Sequence, residues 1–427
     1  MPHPHFPRPL RPLGLILGLC YALSGPAWGA EGLPTPPYPS ADLPPLQAAL
    51  QAIRNAPMAK EADAMLSAEQ ANRKRLEAGP YEWTTRLTTQ QRRVNPSDER
   101  FREWQGALEH TLRLPGKAAL DAKIGAQGEA TAHTALGDAL HETSRSLLQT
   151  WFDWLRARET ARQWAAQADS QEKQRRTTTR RVQLGDAPKL ELMQAEAAAA
   201  QAQAAREQAR LQEQVALAAL SARFPTLPRP ENIHPSEPQP LEPGPWQERL
   251  LTQSHELTLA RAQTEHARLL ASRADADKLP DPTVGVQIGS ERAGEERLAA
   301  LTLTIPLPGG ARRAAADQQV ALSSAAASRE AAAQAKVSAE VAGLLATARA
   351  AYDSWRLAED AARRMEESAH LMGRAYQLGE AGIAELLVAQ RQANEARLGA
   401  NRARLDALEA RYRVYVDAHL LWDADED

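Results

Sequence analysis

The chain has 427 residues, of which 25% are charged and 43% hydrophobic, with a formal net charge of −3 at pH 7 and a single cysteine. A mildly acidic chain offers no basic footprint for nucleic acid, and one cysteine excludes an intrachain disulfide framework. No run of about 20 apolar residues occurs, which excludes a transmembrane helix, so any membrane contact would have to be made by strands.

Residues 1–30 read as a secretory signal. Arg8 and Arg11 supply the positive region, Leu13 to Leu23 a short apolar stretch, and Ala27-Trp28-Gly29 or Ala30 a small-residue cleavage site. Cys20 lies inside this segment, and the bulky Leu19 before it argues against lipid attachment. Residues 31–45 carry Pro34, Pro36, Pro37, Pro39, Pro44 and Pro45 and read as an extended leader.

From residue 46 the chain states one pattern twice. Val182-Gln183-Leu184-Gly185-Asp186-Ala187 is followed by Glu191-Leu192-Met193 and Ala195. At a shift of 194 residues, Tyr376-Gln377-Leu378-Gly379-Glu380-Ala381 is followed by Glu385-Leu386-Leu387 and Ala389. Upstream, Leu114-Pro115-Gly116 is echoed by Leu307-Pro308-Gly309. The expected organisation is a first repeat over 46–223, a connector over 224–246, a second repeat over 247–422 and an acidic tail over 423–427. Eight prolines between Phe224 and Trp246 rule out a helix in the connector.

Within the first repeat, Tyr81, Trp83, Thr85 and Leu87 alternate. A polar loop from Asn95 to Arg102 and a second alternation, Leu108, His110, Leu112 and Leu114, follow. Strands are expected at about 81–94 and 104–114. In the second repeat, Val284, Val286 and Ile288, then Ala299, Leu301, Leu303 and Ile305, predict strands at about 283–290 and 298–307, with a turn around Ala293 to Glu296. Segments of about ten alternating residues separated by turns are the weak signature of a transmembrane barrel; a soluble hairpin packed on helices is the alternative. Trp83, Tyr81, Phe101 and Trp104 would suit an interfacial aromatic belt, although the second hairpin has no aromatic.

No proline occurs between Gly116 and Ala187, nor after Pro308, and these stretches are rich in Ala, Gln, Glu, Arg and Leu. They predict helices of some 70 residues, on the order of 100 Å long. Leu398, Leu405, Leu408, Tyr412 and Tyr415 recur as a coiled-coil seam. Gly185 and Gly379 sit where helices end, so each marks a tip at which the chain turns back. The predicted fold class is mostly α with a small β part, in two repeats of helix, β-hairpin, helix, tip and helix. Two hairpins give only four strands, and a bilayer barrel must close, so a barrel would have to be shared among copies.

These features resemble the TolC family of outer-membrane efflux proteins. The resemblance rests on Tyr376-x-x-Gly379-x-x-x-x-x-Glu385-Leu386-Leu387-x-Ala389, its copy around Gly185, and the passage Thr304-Ile305-Pro306-Leu307-Pro308-Gly309. It covers essentially all of the chain from Leu46 onward. It implies a homotrimer whose shared twelve-stranded β-barrel in outer-membrane lipid continues as a trimeric α-barrel across the periplasm. Its tip would dock a periplasmic adaptor (membrane-fusion) protein and an inner-membrane RND-type pump. The modest length and the passage from Asp281-Pro282 to Pro308-Gly309-Gly310 look most like the heavy-metal (CzcC-like) branch. An organic-compound duct remains the alternative, and from another class a periplasmic adaptor or coiled-coil scaffold without a pore.

On that resemblance the pore and gate residues are Glu191, Glu385, Tyr376, Arg374 and Arg181, and Gly185 and Gly379 form the adaptor-binding tip. Glu191 and Glu385 stand at equivalent places, and in a trimer they would offer six carboxylates that favour cations. Read plainly, each is a first-turn acid favoured by the helix dipole. Glu385 matches a family aspartate, Val388 replaces a second family acid, and Tyr376 matches a tyrosine that latches neighbouring helices, with Val182 as its first-repeat equivalent. Arg180, Arg181 and Arg374 lie near enough to pair with the acids. The histidines His110, His133, His141, His234, His255, His266, His370 and His419 are scattered, with no i,i+4 pair, so no metal site, cofactor or catalytic arrangement is expected.

Overall fold

The computed structural model describes residues 42–228, 233 and 235–424. The signal segment, Cys20, the leader up to residue 41, His234 and residues 425–427 of the acidic tail lie outside the described residues.

The chain opens with α1 (Leu46–Arg54) and α2 (Pro57–Ala78), crosses a hairpin of β1 (Thr84–Val94) and β2 (Glu99–Thr111), and enters α3 (Pro115–Leu184). A turn leads to α4 (Lys189–Arg223). After an extended connector come α5 (Trp246–Thr252) and α6 (His255–Ala276), a second hairpin of β3 (Thr283–Glu291) and β4 (Glu296–Thr304), then α7 (Gly310–Leu378), a second turn and α8 (Ile383–Asp417). At 1.5 Å per residue α3 and α7, 70 and 69 residues long, each run about 105 Å.

Heptads hold these rods together. On α4, Ala195, Ala202 and Ala209 are buried at intervals of seven, and on α7 so are Val341, Ala348, Trp355 and Ala362. A strict seven-residue seam is what lets long helices wind about one another, and small residues in it bring the axes close. On α8, Leu405, Leu408, Tyr412 and Tyr415 are buried, with Leu398 at the margin. The broadest part of the core lies midway along α3. Leu147, Leu148, Trp151, Phe152 and Leu155 meet α8 there, with Phe152 and Tyr412 ring centroids 6.1 Å apart and Trp246 set edge-on to Tyr415 at 5.6 Å. The connector is laid onto this core: Phe224, Leu227 and Ile233 are buried. The buried Asp42 carboxylate receives the Tyr412 hydroxyl at 2.9 Å and the Ser236 N–H and hydroxyl at 2.6 Å each.

The four strands form one antiparallel sheet in the order β1-β2-β3-β4. The register aligns Thr85, Leu108, Val286 and Leu301 in one row and Leu87, Gly106, Ile288 and Ala299 in another. One face is therefore apolar and exposed, with Leu87 at 76% and Leu301 at 86%. The opposite face is polar. There Arg92 pairs with Glu103 at 3.1 Å and Glu291 at 3.3 Å, and Gln287 donates to Gln105 at 3.1 Å. The loop expected from Asn95 to Arg102 is shorter, because Arg100 and Phe101 continue the ladder opposite Arg93 and Arg92. The first hairpin also begins later and ends sooner than residues 81 and 114, and the second ends at Thr304 rather than 307.

Sheet and helices are joined by a buried ion cluster. Lys117, 2% exposed, lies 3.0 Å from both Asp277 and Asp281 and donates to the Leu279 carbonyl at 2.6 Å. Tyr81 donates to Asp281 at 2.7 Å, and Asp121 takes Arg113 and Arg273. Among the described helices none is long and apolar enough to cross a membrane.

Candidate functional site

Both tips are built by one backbone device. Gly185 and Gly379 take left-handed φ values of 82° and 79°. Asp186 N–H reaches back to the Arg181 carbonyl and Glu380 N–H to the Ala375 carbonyl, while each glycine N–H bonds the carbonyl three residues earlier. That is the Schellman ending, which needs a residue free to adopt φ > 0. Nothing lies within 4 Å of where a Cβ would stand on either glycine.

Three of the gate residues named from the sequence converge. Tyr376 is 7% exposed, packed with Ala195, Ile383 and Leu386. Arg181 donates to its hydroxyl oxygen at 2.6 Å, and the hydroxyl donates to Glu191 at 3.1 Å. The Arg181 guanidinium lies 5.1 Å from the ring centroid and 3.7 Å from Glu191. One latch thus links α3, α4 and α7. Burial pushes the Tyr376 phenol above its usual value, and the Glu191 carboxylate reinforces that against the opposing Thr178 and Arg181.

Glu385 is elsewhere. It is exposed, and its carboxylate accepts the Gly382 N–H at 2.9 Å, closing the start of α8. Although equivalent in sequence, Glu191 and Glu385 therefore do different things in the chain. Arg374 and Arg180 are exposed and stand outside the latch.

The fold also assembles a group that the sequence does not announce. His141 on α3, His255 at the first turn of α6 and His419 just past α8 offer ring nitrogens that all lie within 4.8 Å of one another. Their positions are more than a hundred residues apart, so no local spacing could have revealed them. Ring centroids lie 5.6 Å apart for His141 and His255, 5.1 Å for His141 and His419, and 4.6 Å for His255 and His419. Asp417 approaches His141 Nε2 at 3.3 Å and also takes Arg145 and Arg413. Burial pushes the His141 imidazole below its ordinary value, outweighing the Asp417 hydrogen bond. Burial also raises the Asp417 carboxyl, but His141 and Arg145 hold it well below the usual range.

Against known proteins, residues 246–416 match the family profile described as outer membrane efflux protein. No curated protein sequence matches the chain. Among solved structures it is similar to CusC, at 13% identity over 87% of this chain and 91% of that one, with a TM-score of 0.76. It is similar to VceC of Vibrio cholerae at 18% identity over 87% and 95%, TM-score 0.74. For CmeC of Campylobacter jejuni the values are 14%, 96% and 94%, and 0.75. These identities carry the fold, which is that of outer-membrane channel structures. The family matched by residues 246–416 is one of transport ducts, not enzymes.

Proposed function

We propose that this chain is one protomer of an outer-membrane efflux duct. The observation that carries the reading is the two-faced sheet. An exposed apolar face backed by an ion-paired polar face is what a lipid-facing wall around an aqueous lumen requires. Strands of 9 to 13 residues suit the bilayer core. In one chain the outer edges of β1 and β4 have no strand partner among the described residues. Backbone in lipid must be satisfied, so copies must close the sheet; three copies of four strands make the twelve-stranded barrel of the TolC-like reading. The helices would then continue as a periplasmic tube, with Gly185 and Gly379 at the end that meets a periplasmic adaptor and an inner-membrane pump. The CmeC and VceC structures are described as outer-membrane proteins and CusC as forming a transmembrane channel, which supports this assignment.

The latch of Arg181, Tyr376 and Glu191 holds that end together, and Glu385 and Arg374, both exposed there, line the opening. The cargo in this reading is heavy-metal cations, favoured by the exposed tip acid Glu385; organic compounds are the second reading. Two measurements test it. Purified protein in a planar bilayer should conduct as a trimer, and failure to insert would overturn the duct. A deletion strain should become sensitive to zinc, cobalt, cadmium, copper or silver and not to dyes and antibiotics. The reverse pattern would keep the duct and move its cargo.

A further inference from the structure

We propose that His141, His255 and His419 form a binding site for one divalent transition-metal ion of the zinc class, resident in each chain and separate from any cargo passing through a lumen. Three imidazoles with no thiolate suit Zn²⁺, Co²⁺, Ni²⁺ and Cu²⁺. The side chains of His141 and His419 are only 10% and 11% exposed, so these are built-in groups and not surface histidines.

The surroundings have the form that a metal site needs. A ligating imidazole is ordinarily held by a carboxylate on its other side. Asp417 stands 3.3 Å from His141, and Asp423 lies 3.5 Å from His419 Nδ1. That contact turns His419 Nε2 inward, where it is buried and has no hydrogen-bond partner. A buried imidazole nitrogen without a partner costs free energy, and a cation would satisfy it. Tetrahedral coordination at about 2.0 Å needs ligand atoms roughly 3.3 Å apart, so side-chain rotation of the order of 1.5 Å closes the set around an ion. His419 itself sits at φ 56°, the left-handed position that ends α8 and that glycine usually holds. The C-terminal end of α8 also turns its partial negative charge toward the cluster.

Two of the three histidines, His141 and His255, line a cleft of about 730 Å³ together with Glu142, Glu256 and Lys336, through which an ion and a completing water can enter. Once bound, the metal would staple the middle of α3, the start of α6 and the turn after α8, which are far apart in sequence.

The test uses the full-length mature protein in detergent, made without a histidine tag and stripped with chelator. Co²⁺ should bind at one per chain with the visible absorption of a tetrahedral nitrogen site, be displaced by equimolar Zn²⁺, and raise the melting midpoint. His255→Gln should weaken binding at least 10-fold and abolish the rise. His419→Gly suits the left-handed backbone, so it should fold as well as the parent without metal while losing the cobalt band. No stoichiometric cobalt binding in the parent, or binding undiminished in both variants, would overturn the site. Because the readout is metal content and melting, a failed result leaves the duct reading untouched.

Discussion

The two tips share a backbone and differ in what their side chains do, and one residue accounts for most of the difference. At the second tip the residue before α8 is Gly382, whose N–H is an orphan donor that Glu385 accepts. At the first tip the corresponding residue is Pro188, which has no N–H to offer. Glu191 is released from capping, and its carboxylate reaches across to Tyr376 instead. The partner side differs in the same sense: the Val182 side chain at the first tip has no hydrogen-bonding atom, whereas the Tyr376 hydroxyl at the second does. Two glutamates in equivalent register thus become a latch and a cap. A near-repeat in sequence is a repeat of geometry, and it takes very few substitutions to turn it into a division of labour.

The largest test of that comparison is truncation at the paired positions. Tyr376→Ala removes a buried aromatic and both hydrogen bonds of the latch, and should loosen its tip by about 3–5 kcal/mol. Val182→Ala should cost under about 1 kcal/mol. Hydrogen exchange of the amides following Gly379 and Gly185 compares the two substitutions, and equal effects of Tyr376→Ala and Val182→Ala would erase the asymmetry. Next come Gly185→Ala and Gly379→Ala. No atom lies within reach of the added methyl, so only the left-handed backbone is penalised, by about 1–2 kcal/mol at each tip. Here the comparison predicts sameness, and a twofold difference between the tips would mean that something besides φ is at work.

Glu385→Ala removes a cap worth about 1 kcal/mol and should lower cation preference in a bilayer recording. Glu191→Ala should instead raise closed-state leak, as Tyr376→Phe should. Exchange of these two phenotypes would break the division. The smallest effect is in alkali. A phenol whose pKa is raised by folding lends stability below its unfolded value of about 10, and that stability is lost as pH rises through the folded value. The difference in ultraviolet titration between the parent and Tyr376→Phe should therefore show a midpoint above that of an exposed tyrosine. A normal midpoint would place the hydroxyl outside the buried latch.

How much of this could be read from sequence follows from the range of the interactions. The rods were legible because proline is absent over long stretches and helix formers fill them, both local properties. The tips were legible because glycine is the usual residue at a helix end with their φ. The alternation of Val284, Val286 and Ile288 gave the faces of the sheet, but a strand start was missed where Glu99, Arg100 and Arg102 are charged. Residues 99 to 102 pair across the hairpin with Val94, Arg93, Arg92 and Gln91, which no composition rule anticipates. At the latch the participants could be named, yet the separate duties of Glu191 and Glu385 depend on an N–H that proline lacks. The three histidines were invisible, since only tertiary folding brings residues 141, 255 and 419 into contact.

The sheet has a consequence for how the molecule is made. Among the described residues its β1 and β4 edges have no strand partner, and its apolar face is exposed. Such an edge will pair with whatever strand it meets first. For the proposed duct, a newly made chain is consequently hazardous to itself, and its safety depends on time: association with its copies must outrun edge-to-edge mispairing, or a holding chaperone must shield the hairpins until it does. On that reading assembly and insertion are a single kinetic problem, in which raising synthesis without raising chaperone capacity should yield aggregates and not additional ducts.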